Sequence, residues 1–248
     1  PAMIDLTWTD NCDGTGSVSG TDVSDGNTCP EVITRTWTYT DACGNNTSVS
    51  QTITVDDQIA PVFAAPPADV TVECHDDVPA MTNLSWTDNC DGSGSVTGTD
   101  VSDGNTCPEV ITRTWTYTDA CGNTTSVSQT ITVDDQIAPV FDTPPANLTV
   151  ECFGNVPAMI DLTWTDNCDG TGSVSGTDVS DGNTCPETIT RTWTYTDACG
   201  NTSSISQIIT VDDQIAPVFA APPANVTVSC YGDIPAMTQL TWTDNCDG

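Results

Sequence analysis

The 248-residue chain sets 35 acidic side chains against three arginines (Arg35, Arg113 and Arg191), with no lysine and a single histidine, for a formal charge of -32. That balance excludes electrostatic attraction to nucleic acid or to an anionic membrane surface and makes cations the natural partners. No stretch approaches the ~20 apolar residues of a membrane-spanning helix.

A fixed period organises the chain. The segment DNCDG begins at Asp10, Asp88, Asp166 and Asp244, so the step from one copy to the next never varies. The opening PAMIDLTWTDNCDG and the closing PAMTQLTWTDNCDG share one phase, so three periods and one further copy of that opening segment account for the whole chain. The expectation is a window from a longer array. Residues 1–57 form a partial repeat lacking its first strand, 58–135 and 136–213 are complete repeats, and 214–248 hold the first strands of another.

In the repeat 58–135, taken in order, the residues alternate apolar and polar over 69–74, 83–89, about 94–101, 109–118 and 125–134. A period of two predicts half-buried antiparallel strands, here A, B, C, F and G. PPA, DGSGS, VSDGNT and ACGNT between them are turn chemistry, and no segment reads as helix. Short, evenly spaced strands predict an all-β chain of β-sandwich repeats. Trp86 and Trp115 share the core parity, which favours packing over stacking on a sugar. Arg113 shares the face of Trp115 and Tyr117 as the only cation of its repeat, which predicts a structural ion pair or a cation–π contact.

Four cysteines recur per period, which suits two disulfides in a ~80-residue unit with a thin core, and hence an oxidising, extracellular compartment. Zinc wants closely spaced ligand pairs, whereas even the nearest cysteines, Cys29 and Cys43, are separated by the whole run from Pro30 to Ala42. With five strands of alternating direction, Cys74 and Cys107 fall at the end where the chain leaves the sandwich, and Cys90 and Cys121 at the end where it arrives. The predicted bridges are therefore Cys74–Cys107 and Cys90–Cys121, with Cys152–Cys185, Cys168–Cys199 and Cys12–Cys43 as their counterparts.

The same strand directions gather carboxylates. Strand G ends on Asp56 and Asp57, and the next repeat brings Asp88, Asn89, Asp91, Asp119 and Asn123 to meet them. One period on, the set is Asp134, Asp135, Asp166, Asp169, Asp197 and Asn201, followed by Asp212, Asp213, Asp244 and Asp247. Six to eight hard oxygens from carboxylates, amides, carbonyls and water are what calcium takes, so a structural calcium ion between repeats is expected. Asp100 and Asp103 mark a second, weaker acidic loop. Asp-Asn-Gly clusters also make ordinary turns without a ligand.

The run TRTWTYTDACGNTTSVSQTITVDDQIAPVF (112–141), with ADVTVEC (68–74), resembles the hyalin-repeat (HYR) family, in particular its four-cysteine branch. That resemblance covers the whole chain. It implies immunoglobulin-like domains in tandem arrays of extracellular proteins, many of them bacterial cell-surface adhesins exported by the type IX secretion system. The linker form DD-x-x-A-P-x-F is also similar to the calcium-binding linkers of cadherin repeats.

Catalysis is not expected. The single histidine, His75, has Phe153 and Tyr231 at its equivalent positions, and the cysteines are assigned to bridges, so neither a shared nucleophile nor a base is left. The leading reading is a structural fibre or adhesin stalk whose partners are further copies of the same repeat. The alternative is a module that binds glycan or protein, with ice binding by the Thr-x-Thr rows a remote variant, since threonine also suits the solvated side of a strand. Asn123, Asn147, Asn201 and Asn225 head glycosylation sequons, which matter only in a eukaryotic secretory pathway.

Overall fold

The computed structural model describes residues 1–246, so Asp247 lies outside the described residues. Its strands are β1 (Leu6–Asp10), β2 (Gly14–Val18), β3 (Thr21–Ser24), β4 (Glu31–Thr40) and β5 (Asn46–Val55) in the first repeat. The second holds β6 (Val62–Phe63), β7 (Val70–Val72), β8 (Asn83–Asp88), β9 (Gly92–Thr97), β10 (Thr99–Ser102), β11 (Glu109–Thr118) and β12 (Thr124–Val133). The third repeats this set as β13 (Val140–Phe141), β14 (Leu148–Val150), β15 (Asp161–Asp166), β16 (Gly170–Ser175), β17 (Thr177–Ser180), β18 (Glu187–Thr196) and β19 (Thr202–Val211). β20 (Val218–Phe219) and β21 (Trp242–Thr243) complete the series. Helical structure among the described residues is confined to 3-10 turns such as His75–Asp77. The chain is all-β, as its alternation predicts.

Each full repeat is two sheets. One is β6-β8-β9 and the other β10-β11-β12-β7, with β13-β15-β16 and β14-β19-β18-β17 as counterparts. β7 and its counterpart β14 are edge strands, and β14 runs parallel to β19, as five alternating strands require of A and G. Predicted strand C divides into β9 and β10, which belong to opposite sheets, and the crossing is made at Gly98. A Cβ there would lie 2.9 Å from the Met81 sulfur and 3.1 Å from the Trp115 indole, so glycine lets the backbone pass directly over the core tryptophan.

The core holds the parity positions. Trp115, Ile131, Trp193 and Ile209 are fully buried, with Leu84, Trp86, Ile111 and Val133 nearly so. Trp115 donates its indole N–H to the Thr82 carbonyl at 2.9 Å. Trp86 stacks on Tyr117 at 3.7 Å between ring centroids. The linker contributes as well: Pro61 is fully buried, and Val62 and Phe63 pair with Thr87 and Trp86.

By contact density the chain forms two compact units. One comprises Pro1–Thr71, Val78–Asn105 and Glu109–Thr132; the other comprises Val72–Asp77, Thr106–Pro108 and the chain from Val133 onward. Short pieces of the second repeat, carrying Cys74 and Cys107, thus belong with the repeat that follows.

The disulfides explain this grouping and correct the predicted pairing. The bridges are Cys29–Cys121, Cys74–Cys168, Cys107–Cys199 and Cys152–Cys246, each joining one repeat to the next. None of the predicted bridges Cys74–Cys107, Cys90–Cys121, Cys152–Cys185, Cys168–Cys199 or Cys12–Cys43 is formed; Cys12, Cys43, Cys90, Cys185 and Cys230 carry free thiols. The predicted placement at the two ends is right for Cys74 and Cys107. Residues beside both contact the outgoing strand end: Asp134 N–H donates to the Val72 carbonyl, and the Cys107 sulfur lies 3.7 Å from Asp134. The cysteines sit in turns beyond the strand ends, however, not on the inward faces of the sheets. An end surface faces the next repeat, so the bridges cross to it.

Candidate metal centre

Three groups of acidic residues converge where one repeat hands over to the next: Asp57, Asp88 and Asp119; Asp135 and Asp166 beside Cys168; and Asp213 and Asp244 beside Cys246. Within each group the candidate ligand atoms lie within 4.8 Å of one another. Since Cys168 and Cys246 are disulfide-bonded, they offer no thiolate. What remains is a set of hard oxygens, which suits calcium or magnesium and not zinc.

Local backbone hydrogen bonds aim these carboxylates. Asp88 ends strand β8, and its Oδ1 accepts from the N–H groups of Cys90 (2.9 Å) and Asp91 (2.8 Å), the Asx-turn pattern of an aspartate leading a tight loop. Asp119 leads the β11–β12 turn in the same way, accepting from Cys121 and Asn123. Asp57 follows β5, and its Oδ1 accepts from Ile59 N–H (3.1 Å) and from the Asn89 amide (3.0 Å). For Asp57 and Asp88 one carboxylate oxygen is held by the turn and the other is left to point inward. The Oδ2 atoms of both are buried without a close hydrogen-bond donor among the described residues, the Cys90 thiol interacting only weakly with the Asp57 carboxyl, and Asp166 Oδ2 is likewise without a donor.

Buried carboxylate oxygens without a donor are unfavourable, and like charges this close would normally push one carboxyl toward protonation. Asp57 moves the other way: the Asn89 amide, with Ile59 N–H, holds its carboxyl below the usual range against the opposing effect of burial. For Asp197, burial raises the pKa, but the Asn201 side chain and the turn N–H groups outweigh it and the carboxyl stays low. Both carboxyls are thus held toward their charged form by the hydrogen bonds that aim them, and charge is what a bound cation needs.

The predicted residues divide by role. Asp57, Asp88, Asp119, Asp135, Asp166, Asp213 and Asp244 lie in the clusters, and Asp197 occupies in the third repeat the turn position of Asp119. Asp56, Asp134 and Asp212 turn instead toward the linker glutamine and a cysteine sulfur; Asp56, for example, accepts from Gln58 at 3.0 Å. Asp91 and Asp169 accept from Tyr117 or Tyr195 hydroxyls and from Ala120 or Ala198 N–H, fastening one loop to the other. Asn123 donates to the Asp57 carbonyl (2.9 Å) and to Asp119 (2.8 Å), and Asn201 does the same with Asp135 and Asp197. The asparagines are braces for the acidic groups. In the second acidic loop, Asp100 is bound bidentately by Arg113 at 2.7 and 2.8 Å, and Asp103 closes a turn with Asn105 and Val110.

Against protein families, the model of the HYR-like domain with 4 cysteines matches residues 4–55, 62–133 and 140–211. The chain belongs to the four-cysteine HYR-like family. No curated protein shows detectable similarity to it in sequence. Among solved structures, the M60 catalytic domain with the CBM51-1 and CBM51-2 domains of Clostridium perfringens ZmpB is similar at 11% identity and a TM-score of 0.25, covering 88% of this chain and 32% of that one. The HYR-like chain thus spans about a third of that structure.

In the HYR-like repeat, Asn89 lies at the junction where the sequence places it, with Asn167 as its counterpart, and acts there as a hydrogen-bond donor. Its amide reaches Asp57 of the preceding repeat, while Asn167 reaches Asp135. The available signal was the unvarying spacing of DNC after a DD pair at every period. Family and disulfides together point to an extracellular protein, and no helix among the described residues is long and apolar enough to cross a membrane.

Proposed function

We propose that this HYR-like chain is structural: part of an extracellular fibre or cell-surface adhesin stalk in which calcium, held at each repeat junction, fixes one repeat against the next. The observation that carries the reading is the pair of buried oxygens of Asp57 and Asp88, both without a close donor, converging with Asp119 where the linker turns into the following repeat. Calcium supplies the missing positive charge there; Asp57, Asp88 and Asp119 supply oxygens, and Asn89 and Asn123 hold them in place. Repetition fits a spacer, which gains from every copy, better than a recognition site, which needs one. The tryptophans Trp86 and Trp164 are buried beneath Tyr117 and Tyr195 and offer no open face to a sugar.

Calorimetric titration of the oxidised chain tests this. Calcium should bind in the ~0.1–1 mM range of extracellular modules, and Asp57→Asn with Asp88→Asn should remove one equivalent while leaving the rest. Unchanged stoichiometry in that variant overturns the site. Because bridges also tie the junctions, chelator alone should leave DDQIAPVF resistant to protease, and chelator with reductant should expose it.

A further inference from the structure

We infer that the junction centre of Asp135, Asp166 and Cys168 is redox-gated: the intact Cys74–Cys168 bridge leaves it oxygens alone, and reduction of that bridge by a dithiol adds the Cys168 thiolate, turning a calcium site into one for zinc or another thiophilic divalent ion. The inference rests on the reading of the junction as a cation site and names how that site is regulated.

The sulfur already stands among the ligands. Cys168 Sγ and one carboxylate oxygen each of Asp135 and Asp166 lie within 4.8 Å of one another, and Cys246 repeats the placement with Asp213 and Asp244. Asp135 is 4% exposed, and Asp166 Oδ2 is buried without a donor among the described residues, so both acids are committed to the interior of the junction and one oxygen there lacks a positive partner. Zinc–oxygen bonds of about 2.0–2.2 Å and a zinc–sulfur bond of about 2.3 Å put tetrahedral ligands roughly 3.3–3.7 Å apart. Atoms no more than 4.8 Å apart reach that spacing by small side-chain rotations. Water completes four-coordination, as it does in other sites with three protein ligands.

The turn, not the bridge, holds the sulfur in place. Asn167 Nδ2 lies 3.0 Å from Asp135 Oδ1, 3.0 Å from Cys168 Sγ and 3.4 Å from Cys74 Sγ, so one amide serves the acid and both sulfurs. At the preceding junction Cys90 occupies the equivalent position as a thiol, and Asn89 still reaches both partners there, Asp57 at 3.0 Å and the sulfur at 3.1 Å. That thiol also contacts the Asp57 carboxyl weakly. In both repeats the aspartate opening the DNC turn accepts from the cysteine N–H at 2.9 Å. Opening Cys74–Cys168 therefore leaves Cys168 beside its carboxylates.

One thiolate of a dithiol such as dithiothreitol attacks Cys74 Sγ, breaks the S–S bond and leaves both electrons of that bond on Cys168; the second thiolate of the reductant then attacks its own sulfur in the mixed disulfide and releases Cys74. The bridge gains two electrons. The dithiol loses two electrons and two protons as it closes to a cyclic disulfide; Cys74 takes one proton, and the other goes to water because the metal occupies Cys168. Calcium gains little from sulfur, whereas zinc favours it. Asp135 precedes the linker and Asp166 and Cys168 follow it, so the zinc ion replaces a lost covalent tie with a coordinate one.

The test uses the full chain, oxidised, with Cys74→Ser to free Cys168 alone, and cobalt(II) as a spectroscopic stand-in for zinc. Relative to the parent, the variant should bind one further equivalent of cobalt with a thiolate-to-cobalt charge-transfer band, displaced by zinc and not by excess calcium. Cys168→Ser breaks the same bridge and should gain no band. Asp135→Asn with Asp166→Asn, added to Cys74→Ser, should abolish it. The parent reduced with a phosphine gives a reading that needs no cysteine substitution: the same two asparagines should remove one of its cobalt–thiolate equivalents. Absence of the band in Cys74→Ser, or a band indifferent to the asparagines, overturns the inference. Calcium titration of the oxidised parent separates the two readings. If the asparagines leave its calcium stoichiometry unchanged, the junction is not the cation site; if they remove one equivalent while Cys74→Ser shows no band, the redox gating alone falls.

Discussion

Arg113 shows how a single residue is constrained by the scarcity of its type. It is 3% exposed and its guanidinium grips Asp100 on the neighbouring strand, with a further bond to the Ala80 carbonyl. The Arg113 hydrogen bond holds the Asp100 carboxyl below its ordinary value, and Arg191 does the same to Asp178. A depressed carboxylate contributes stability that is fully present above the unfolded value near 3.8 and is lost as pH falls through the lower folded value. Melting temperature should therefore be level from neutrality to about pH 5 and fall in more acid solution, as followed by circular dichroism. Breaking a buried pair costs about 3–5 kcal/mol. Since Asp100 is about a third exposed, Asp100→Ala should cost about 2 kcal/mol in the second repeat at neutral pH, with a shallower acid slope in denaturant melts. The ion pair was one of two roles legible in the sequence, where a lone cation shared its face with Trp115 and Tyr117; the choice of Asp100 was not, because it depends on where strand C changes sheets.

Strands and their faces were legible because alternation survives any packing arrangement, and Trp86, Trp115 and Ile131 all lie where parity puts them. The two-residue strand β6 was not, being too short to show a period. Nor was the division of strand C, since Gly98 looks like turn chemistry until Trp115 is seen beneath it. Gly94 carries a similar load: a Cβ there would lie 2.7 Å from the Trp86 ring, which is held on its other side by Tyr117. Gly94→Ala should thus strain the β8–β9 sheet and destabilise the repeat by about 1–3 kcal/mol, the range of overpacked cores. Loss of the Trp86–Tyr117 stack, read by near-ultraviolet circular dichroism, should accompany it; an unchanged spectrum and midpoint would show that the ring moves freely.

At the scale of the whole chain, the acidic junctions were legible because DD and DNC recur at constant spacing and strand direction decides which ends they reach. The cysteine partners were not, for a reason inherent in repetition: a bridge within one repeat and a bridge to the next use the same residue types at the same kind of end. Those bridges have a mechanical consequence. Starting from Cys29, tension passes to Cys121, back along β11 to Cys107, and on to Cys199; a second route runs from Cys74 to Cys168, back along β15 to Cys152, and on to Cys246. The first route carries force through β11, and the second through residues 152–168, in which a 3-10 turn and a loop precede β15, so a pulled repeat can reach only about 50–60 Å however completely its sheets come apart. A repeat without bridges would pay out on the order of 270 Å. Single-molecule stretching should show no long unfolding steps between Cys29 and Cys199, or between Cys74 and Cys246, in the oxidised chain and should recover them in reductant, so that the reach of the repeats under load would be set by covalent bonds and would change with redox state.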